Sequence, residues 1–147
     1  RYRESRSTTY PNVPVWLPGR INEYNGGILL PINPFKRING TRDNDLIFAL
    51  EGNDKVFDFG GDDCIVGGEG NDELRGEVGN DVIFGNKGDD LLIGANDEDK
   101  LFGGEGNDKI NGGAGNDNLI GGSGNDNING LSGTDTCDGE VEVNCEL

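Results

Sequence analysis

Residues 67–93 read GGEGNDELR, GEVGNDVIF and GNKGDDLLI, three consecutive nine-residue repeats with the same spacing of Gly, Asp and aliphatic residues. The pattern continues without insertion or deletion back to Gly40 and forward to Asp138, which gives eleven repeats. A short, exact period is typical of chains in which each repeat forms one structural unit that packs only on its neighbours. The repeats therefore decide the fold of residues 40–138.

Two positions of the repeat never change in character. Position six is always Asp: Asp45, Asp54, Asp63, Asp72, Asp81, Asp90, Asp99, Asp108, Asp117, Asp126 and Asp135. Position eight is always apolar: Ile47, Val56, Ile65, Leu74, Ile83, Leu92, Leu101, Ile110, Leu119, Ile128 and Cys137. A carboxylate that returns at one position in every repeat predicts rows of carboxylates along the folded chain.

The distribution of residue types within the repeat predicts its local structure. Positions one to six are rich in Gly, Asn and Asp, which favour turns and backbone with positive φ. Positions seven to nine predict a three-residue strand whose middle side chain faces inward. Because such a strand is unstable alone, stacked copies would bury their aliphatic residues in one ladder. Two repeats then form one 18-residue coil, and eleven form about five and a half coils, roughly 26 Å long at about 4.8 Å per coil.

The pattern GGxGxDxUx, with U a large apolar residue, resembles the RTX (repeats-in-toxin) family of calcium-binding repeats over about two thirds of the chain. The resemblance implies an all-β fold, a right-handed parallel β-roll. Turns on one side of such a roll belong to repeats n and n+2, so a stacked pair presents two Asp carboxylates and several turn carbonyls to one gap. An all-oxygen site of this kind suits calcium better than magnesium, and the absence of His argues against zinc or copper.

The candidate calcium ligands are the eleven Asp side chains at position six, together with turn carbonyls. These carbonyls lie near Gly67, Glu69, Gly76, Val78, Gly85, Lys87, Gly103, Glu105, Gly112, Ala114, Gly121 and Ser123. Eleven repeats form at most nine n/n+2 pairs, which allows up to about nine calcium ions. The alternative is that Asp and Asn only satisfy turn hydrogen bonds, which eleven copies in one register disfavour.

Some turns depart from the pattern. Thr41, Ala49–Leu50 and Asp58–Phe59 stand where the leading glycines are expected, and Asn96–Asp97 stands where position four should be Gly. We expect calcium sites that use these turns to be distorted, completed by water or empty.

The charge of the chain points to cations. Residues 40–147 carry a net charge of −20 and residues 1–39 a net charge of +4, which together give −16. Nine calcium ions would bring +18, so we expect the roll to fold only when it is loaded with metal. An acidic body disfavours nucleic acid as a partner, and no apolar stretch is long enough to span a membrane.

The two ends of the chain differ from the repeats. Residues 1–39 form an irregular, Pro-rich, basic segment, expected either to cap the first coils or to dock as an arm on a second copy, giving a homo-oligomer or filament. Residues 139–147 are expected to cap the other end, with a Cys137–Cys145 disulfide if the compartment is oxidising and two reduced thiols otherwise. Cys64 is expected to face outward, as a free thiol or, as the less favoured alternative, as an intermolecular link.

Position nine predicts an apolar stripe on one outer face of the roll. Odd-numbered repeats contribute the interface candidates Phe48, Val66, Phe84, Phe102 and Ile120, and Trp16 is a further candidate within the N-terminal segment. A contiguous apolar patch of this kind usually marks an interface.

These features favour a non-enzymatic, calcium-binding structural or adhesive protein, secreted or at the cell surface. Without His, and with no evident nucleophile–base pair, no catalytic residues are predicted. The alternative is the C-terminal folding and secretion module of a larger secreted enzyme or toxin. The chain does not begin with Met and shows no signal peptide, so we expect a processed chain or a fragment.

Overall fold

The computed structural model describes residues 37–139 and 141–145, together with the backbone of three two-residue strands nearer the N-terminus. Trp16 and most of the 1–39 segment lie outside the described residues. The strands are β1 (Ser5–Arg6), β2 (Pro14–Val15), β3 (Ile28–Leu29), β4 (Arg37–Asn39), β5 (Leu46–Glu51), β6 (Lys55–Phe57), β7 (Cys64–Glu69), β8 (Glu73–Val78), β9 (Val82–Lys87), β10 (Leu91–Asn96), β11 (Lys100–Glu105), β12 (Lys109–Ala114), β13 (Asn118–Ser123), β14 (Asn127–Ser132), β15 (Thr136–Asp138) and β16 (Val141–Val143).

Strands β3 to β16 form two parallel sheets that face each other, as an all-β, right-handed parallel β-roll requires. The odd sheet has the order β15-β13-β11-β9-β7-β5-β3, and the even sheet has the order β16-β14-β12-β10-β8-β6-β4. Neighbouring strands of a sheet pair in register 18 residues apart, for example Ile83 with Leu101 and Leu92 with Ile110. The predicted fold and the 18-residue coil are therefore confirmed. No helix long and apolar enough to cross a membrane occurs in the part of the chain that the structure describes.

Most strands are six residues long, so the prediction of three-residue strands was wrong. Strand β9, for example, continues past position nine through positions one to three of the next repeat. Phe84 pairs with Phe102 and Asn86 pairs with Gly104, while Gly85 between them is not part of the paired register. Strand pairing uses backbone N–H and C=O groups, which Gly and Asn supply as well as other residues do. Once the coils are stacked, the ladder therefore extends through residues whose propensities indicate a turn.

The core consists of two rows of aliphatic side chains, one from each sheet, which form one cluster between the sheets. The position-eight residues from Ile47 to Ile128 are all fully buried, as predicted. Ala49, which replaces a position-one glycine, is also part of the core. Ile38 packs against one end of the core, and Cys137 and Cys145 pack against the other. Side chains at positions seven and nine point outward, and the position-nine side chains of the odd sheet from Phe48 to Ile120 are half-buried.

Positive φ recurs at positions two and four of the repeat, and it does not require Gly at either. Gly113 and Gly115 have φ of 127° and 151°, and the corresponding residues one coil earlier, Ala95 and Asp97, have φ of 93° and 73°. The turn of repeat 94–102 thus keeps its backbone shape although it lacks the expected glycines. An L-residue with positive φ is strained, so neighbouring coils stabilise these turns.

The segment before the repeats contributes to the same roll. Strand β3 pairs with β5, and β4 pairs with β6, so both sheets extend beyond residue 40 towards the N-terminus. Strands β1 and β2 pair antiparallel with each other.

Candidate metal centre

The structure buries the carboxylate of every position-six Asp. All eleven are at most 5% exposed, and Asp58, at position one of its repeat, is fully buried as well. Acidic side chains are almost never buried to this degree unless they are paired or bind a cation. The turns therefore hold rows of carboxylates inside the protein: six along one edge of the roll, from Asp45 to Asp135, and five along the other, from Asp54 to Asp126.

One oxygen of these carboxylates links successive coils. The Oδ1 atom accepts a hydrogen bond from the backbone N–H of the position-six Asp one coil earlier, at 2.7 Å from Asp72 to Asp90 and 2.9 Å from Asp81 to Asp99. Nine such bonds join residues 18 apart. This oxygen fixes the orientation of the carboxylate and stabilises the stacking of the turns.

The other oxygen is buried and, in most repeats, unsatisfied. No N–H or O–H group of the described residues donates to Oδ2 of Asp58, Asp63, Asp72, Asp81, Asp90, Asp99, Asp108, Asp117 or Asp135. Leaving a buried polar atom without a partner costs about 1–3 kcal/mol, and more for a charged group. A repeated cost of this size indicates that the rows are built for a ligand that is a cation.

Position-one glycines leave open the space next to Oδ2. A Cβ atom on Gly67 would lie 2.5 Å from Oδ2 of Asp72 and 2.8 Å from the carbonyl oxygen of Gly85. The same atom on Gly103 would lie 2.5 Å from the carbonyl oxygen of Gly121, beside the Asp108 carboxylate. The gaps beside Gly67, Gly85, Gly94, Gly103 and Gly112 are therefore each lined by a carboxylate oxygen of one repeat and a carbonyl oxygen one coil further on. This all-oxygen lining suits a hard cation such as calcium.

The carbonyls at position three are already used in the stacking of the coils. Those of Glu69, Val78, Lys87, Glu105 and Ser123 accept backbone hydrogen bonds of 2.8–2.9 Å from position-four glycines one coil earlier. A carbonyl oxygen has two lone pairs and can bind a further group. The predicted carbonyl ligands at positions one and three thus lie at the same turns as the Asp rows. Those at position one border the gaps beside Oδ2, whereas those at position three accept backbone hydrogen bonds from the preceding coil.

Burial raises the pKa of several of these carboxylates above the usual value of 3.8. Desolvation is the largest cause, and it raises the pKa of Asp72 to about 6, of Asp81 and Asp90 to about 7 and of Asp99 to about 8. The backbone hydrogen bond to Oδ1 lowers each pKa, and the neighbouring Asp charges raise it. Desolvation likewise raises the pKa of Asp108 and Asp117. A cation in the row would favour the ionised form of all these groups.

A second ladder in the turns was not predicted. The side chain at position five accepts a hydrogen bond from the backbone N–H of the equivalent residue one coil later, for example Asn71 N–H to Asn53 Oδ1 and Asn107 N–H to Asp89 Oδ1. The same bond forms on the opposite edge, from Asn80 N–H to Asp62 Oδ1. Position five is Asn or Asp in nine of eleven repeats, and this regularity was the available sequence signal.

The first turn differs from the others. Oδ2 of Asp45 accepts hydrogen bonds from the backbone N–H of Thr41 at 2.7 Å and from its Oγ1–H at 2.9 Å. The carboxylates of Asp45, Asp58 and Asp63 each offer an oxygen, and these oxygens lie within 4.8 Å of one another. In the sequence Asp58 stands out only as a missing glycine, so its place among buried carboxylates was not predicted.

The remaining predicted site residues lie on the ends and outer face of the roll. Cys137 and Cys145 are joined by a disulfide, with their Cα atoms 5.8 Å apart, and Cys64 is half-buried and not bonded to either. The candidates Phe48, Val66, Phe84, Phe102 and Ile120 follow one another in register along the odd sheet. The rings of Phe84 and Phe102 stack with their centroids 4.9 Å apart.

Comparison with known proteins agrees with this geometry. No curated protein sequence matches the chain. A family model, the RTX calcium-binding nonapeptide repeat, matches in four copies, at residues 39–74, 66–101, 75–110 and 102–137. The matches run through about two thirds of the chain and cover the stacked coils with their Asp rows. This chain therefore belongs to the family of RTX calcium-binding nonapeptide repeat proteins.

Proposed function

We propose that this chain is a secreted, non-enzymatic protein with a structural or adhesive role, whose roll folds when calcium enters its turns. The observation that carries the proposal is the row of buried carboxylates in which Oδ2 has no hydrogen-bond donor among the described residues. Bound calcium would neutralise the negative charge of these buried oxygens. The position-six Asp side chains would hold it, with the turn carbonyls that line the same gaps.

The charge of the repeats supports coupled folding and binding. Neighbouring carboxylates of one row lie a single coil apart. Beyond the effect of desolvation, the charges of Asp72 and Asp108 raise the pKa of Asp90, and those of Asp81 and Asp117 raise the pKa of Asp99. Few basic side chains are available to offset them: Lys55 and Arg75 pair with Glu73, and Lys87 pairs with Glu69, all on the outer surface. The interior rows therefore depend on metal or protons for their neutralisation.

Calcium titration followed by circular dichroism and calorimetry tests the proposal. We expect β-structure to form as calcium is added, with several ions bound per chain. Asp90→Asn removes the ionised Oδ2 and keeps an oxygen to accept the hydrogen bond from Asp72. This variant should bind fewer ions and need more calcium to fold.

Asp89→Asn is the matched control for that variant. It removes the same charge from the same turn, but Asp89 is exposed and uses Oδ1 to accept the bond from Asn107, which Asn retains. We expect it to bind as many ions as the unmodified chain. A chain that folds fully in the presence of a chelator at neutral pH and binds no calcium would overturn the proposal.

The same reasoning supports the proposal that the protein is secreted. Calcium is abundant outside cells, and extracellular calcium modules bind it weakly, with Kd of about 10⁻⁴–10⁻³ M. A chain that folds only with calcium would be unfolded during export and would fold after it. The Cys137–Cys145 disulfide supports an oxidising location. Fractionation of the producing cells, with detection of the chain in the medium or on the surface, tests this assignment.

The outer faces and the ends of the roll bear on which partner the protein binds, and not on how the repeats fold. We propose that residues 1–39 and 139–147 cap the two ends of the 40–138 roll, and that copies associate through the apolar stripe of the odd sheet. The register of Phe84 with Phe102, and of its neighbours in that stripe, supports the second part. Sedimentation of the calcium-loaded chain over a range of concentrations tests it, since a strictly monomeric species would exclude association.

A further inference from the structure

Asp58 occupies a position that is Gly in nine of the eleven repeats. It is fully buried, its Oδ1 accepts the backbone N–H of Phe59 at 2.8 Å, and its Oδ2 has no donor among the described residues. Burying an ionised carboxylate costs a large solvation energy unless the charge is paired or bound to a metal. An Asp in place of Gly at this point therefore indicates a ligand for its charge.

The side chain of Asp58 lies in the gap between two stacked turns on the same edge of the roll, residues 40–45 and residues 58–63. A Cβ atom on Gly40, one coil earlier, would lie 2.6 Å from its Oδ2. At five other turns the gap beside the position-one glycine is bordered by a carbonyl oxygen of the following coil, as Gly121 borders the gap beside Gly103. In the first gap the group that the following coil places beside the glycine is thus a carboxylate, whereas in gaps such as those of Gly67 and Gly103 it is a neutral carbonyl oxygen.

The backbone around Asp58 is shaped differently from that of the later turns. Strand β6 ends at Phe57, whereas β8 and β10 of the same sheet continue for three residues past position nine. Positive φ falls at positions three and four of this turn, at Gly60 and Gly61, but at positions two and four one coil later, at Glu77 and Gly79. Asp58 therefore lies in the turn and not in the strand, and its carboxylate lies near that of Asp63.

We propose that Asp45, Asp58 and Asp63 form a three-carboxylate cation site in the first coil, distinct in composition from the gaps further along the roll. It takes calcium, binds it more tightly than the other sites and fills first. The oxygens of these three residues already lie within 4.8 Å of one another. The number of charged ligands is one of the features that sets the affinity of a calcium site, so a third carboxylate increases it.

This inference rests on the proposed calcium binding of the repeats and is tested separately from it. Calcium is titrated into the full chain against a competing chelator, with calorimetric detection. The unmodified chain should show one site with a Kd at least about tenfold lower than the rest. Asp58→Asn should abolish that tight step and leave the weaker sites in place.

The control is Asp62→Asn in the same turn. Asp62 is exposed, and its Oδ1 accepts the backbone N–H of Asn80, a role that Asn keeps. The Asp62→Asn variant removes one negative charge, as Asp58→Asn does, and should retain the tight calcium-binding step. Asp58→Gly, which restores the usual residue of the repeat, gives a second variant whose folding at saturating calcium can be verified by circular dichroism.

The outcomes separate the two proposals. If Asp58→Asn and Asp58→Gly both fold with calcium and both lose the tight step, the three-carboxylate site is supported. If their binding curves match that of Asp62→Asn, the site is excluded, while calcium binding by the repeats still stands. If the unmodified chain binds no calcium at all, the proposed function fails together with it.

Discussion

The calcium-free roll should be stable in acid and should unfold as the pH rises towards neutrality. The carboxylates of Asp72, Asp81, Asp90 and Asp99 have pKa values of about 6 to 8 in the folded chain, against 3.8 ordinarily. The folded state thus binds more protons than the unfolded state between these values. Stability of the calcium-free roll is therefore fully present below about pH 4 and is lost as the pH rises through about 6 to 8.

The magnitude is large compared with the stability of a domain. One pKa unit corresponds to about 1.4 kcal/mol, so a pKa of about 7 in place of 3.8 costs about 4 kcal/mol once the group is ionised. Asp81 and Asp90 lie on opposite edges of the roll, and together they cost about 8 kcal/mol at high pH. The free energy of unfolding of a typical domain is only about 5–15 kcal/mol.

The assay is urea unfolding followed by circular dichroism, in a chelator, at a series of pH values between about 4 and 8. We expect the urea midpoint to fall as the pH rises, and we expect millimolar calcium to reverse the trend, since calcium binds the ionised form. A calcium-free roll with an unchanged midpoint across this range, or with greater stability at pH 8 than at pH 5, would refute the assignment of the rows as buried, unneutralised carboxylates.

Three further predictions concern single side chains. Gly85→Ala should raise the calcium concentration needed for folding severalfold in a calcium titration, because its Cβ would press on the Asp90 carboxylate and lie 2.6 Å from the Gly103 carbonyl oxygen. Ile83→Ala should lower the free energy of unfolding at saturating calcium by about 2–5 kcal/mol in urea unfolding, since Ile83 is fully buried in the core ladder. Cys145→Ser should lower the same free energy by about 2–3 kcal/mol, because it opens a short loop closed by the disulfide; an equal loss in the reduced unmodified chain would support that origin.

The sequence was sufficient to predict the coil, the core and the rows of Asp, because a fixed spacing places the same residue type at the same point of every coil. It could not predict the length of the strands. Gly85 and Asn86 carry no side-chain signal for a strand, and their pairing depends on backbone groups of the coils on either side. The sequence also could not predict that Asp58 joins the buried carboxylates. In the repeat pattern Asp58 is only a missing glycine, and its proximity to Asp63 is visible only in the folded chain.

The two hydrogen-bond ladders of the turns run in opposite directions along the roll. At position six the amide of an earlier coil donates to the side chain of the next, as Asp72 does to Asp90. At position five the amide of a later coil donates to the side chain of the one before, as Asn71 does to Asn53. A cut through the roll at any coil would therefore strip acceptors from amides on both sides of the cut. Both faces exposed by such a cut would carry amides without acceptors, which costs free energy. This cost favours the complete stack of coils over a stack in which neighbouring coils have separated.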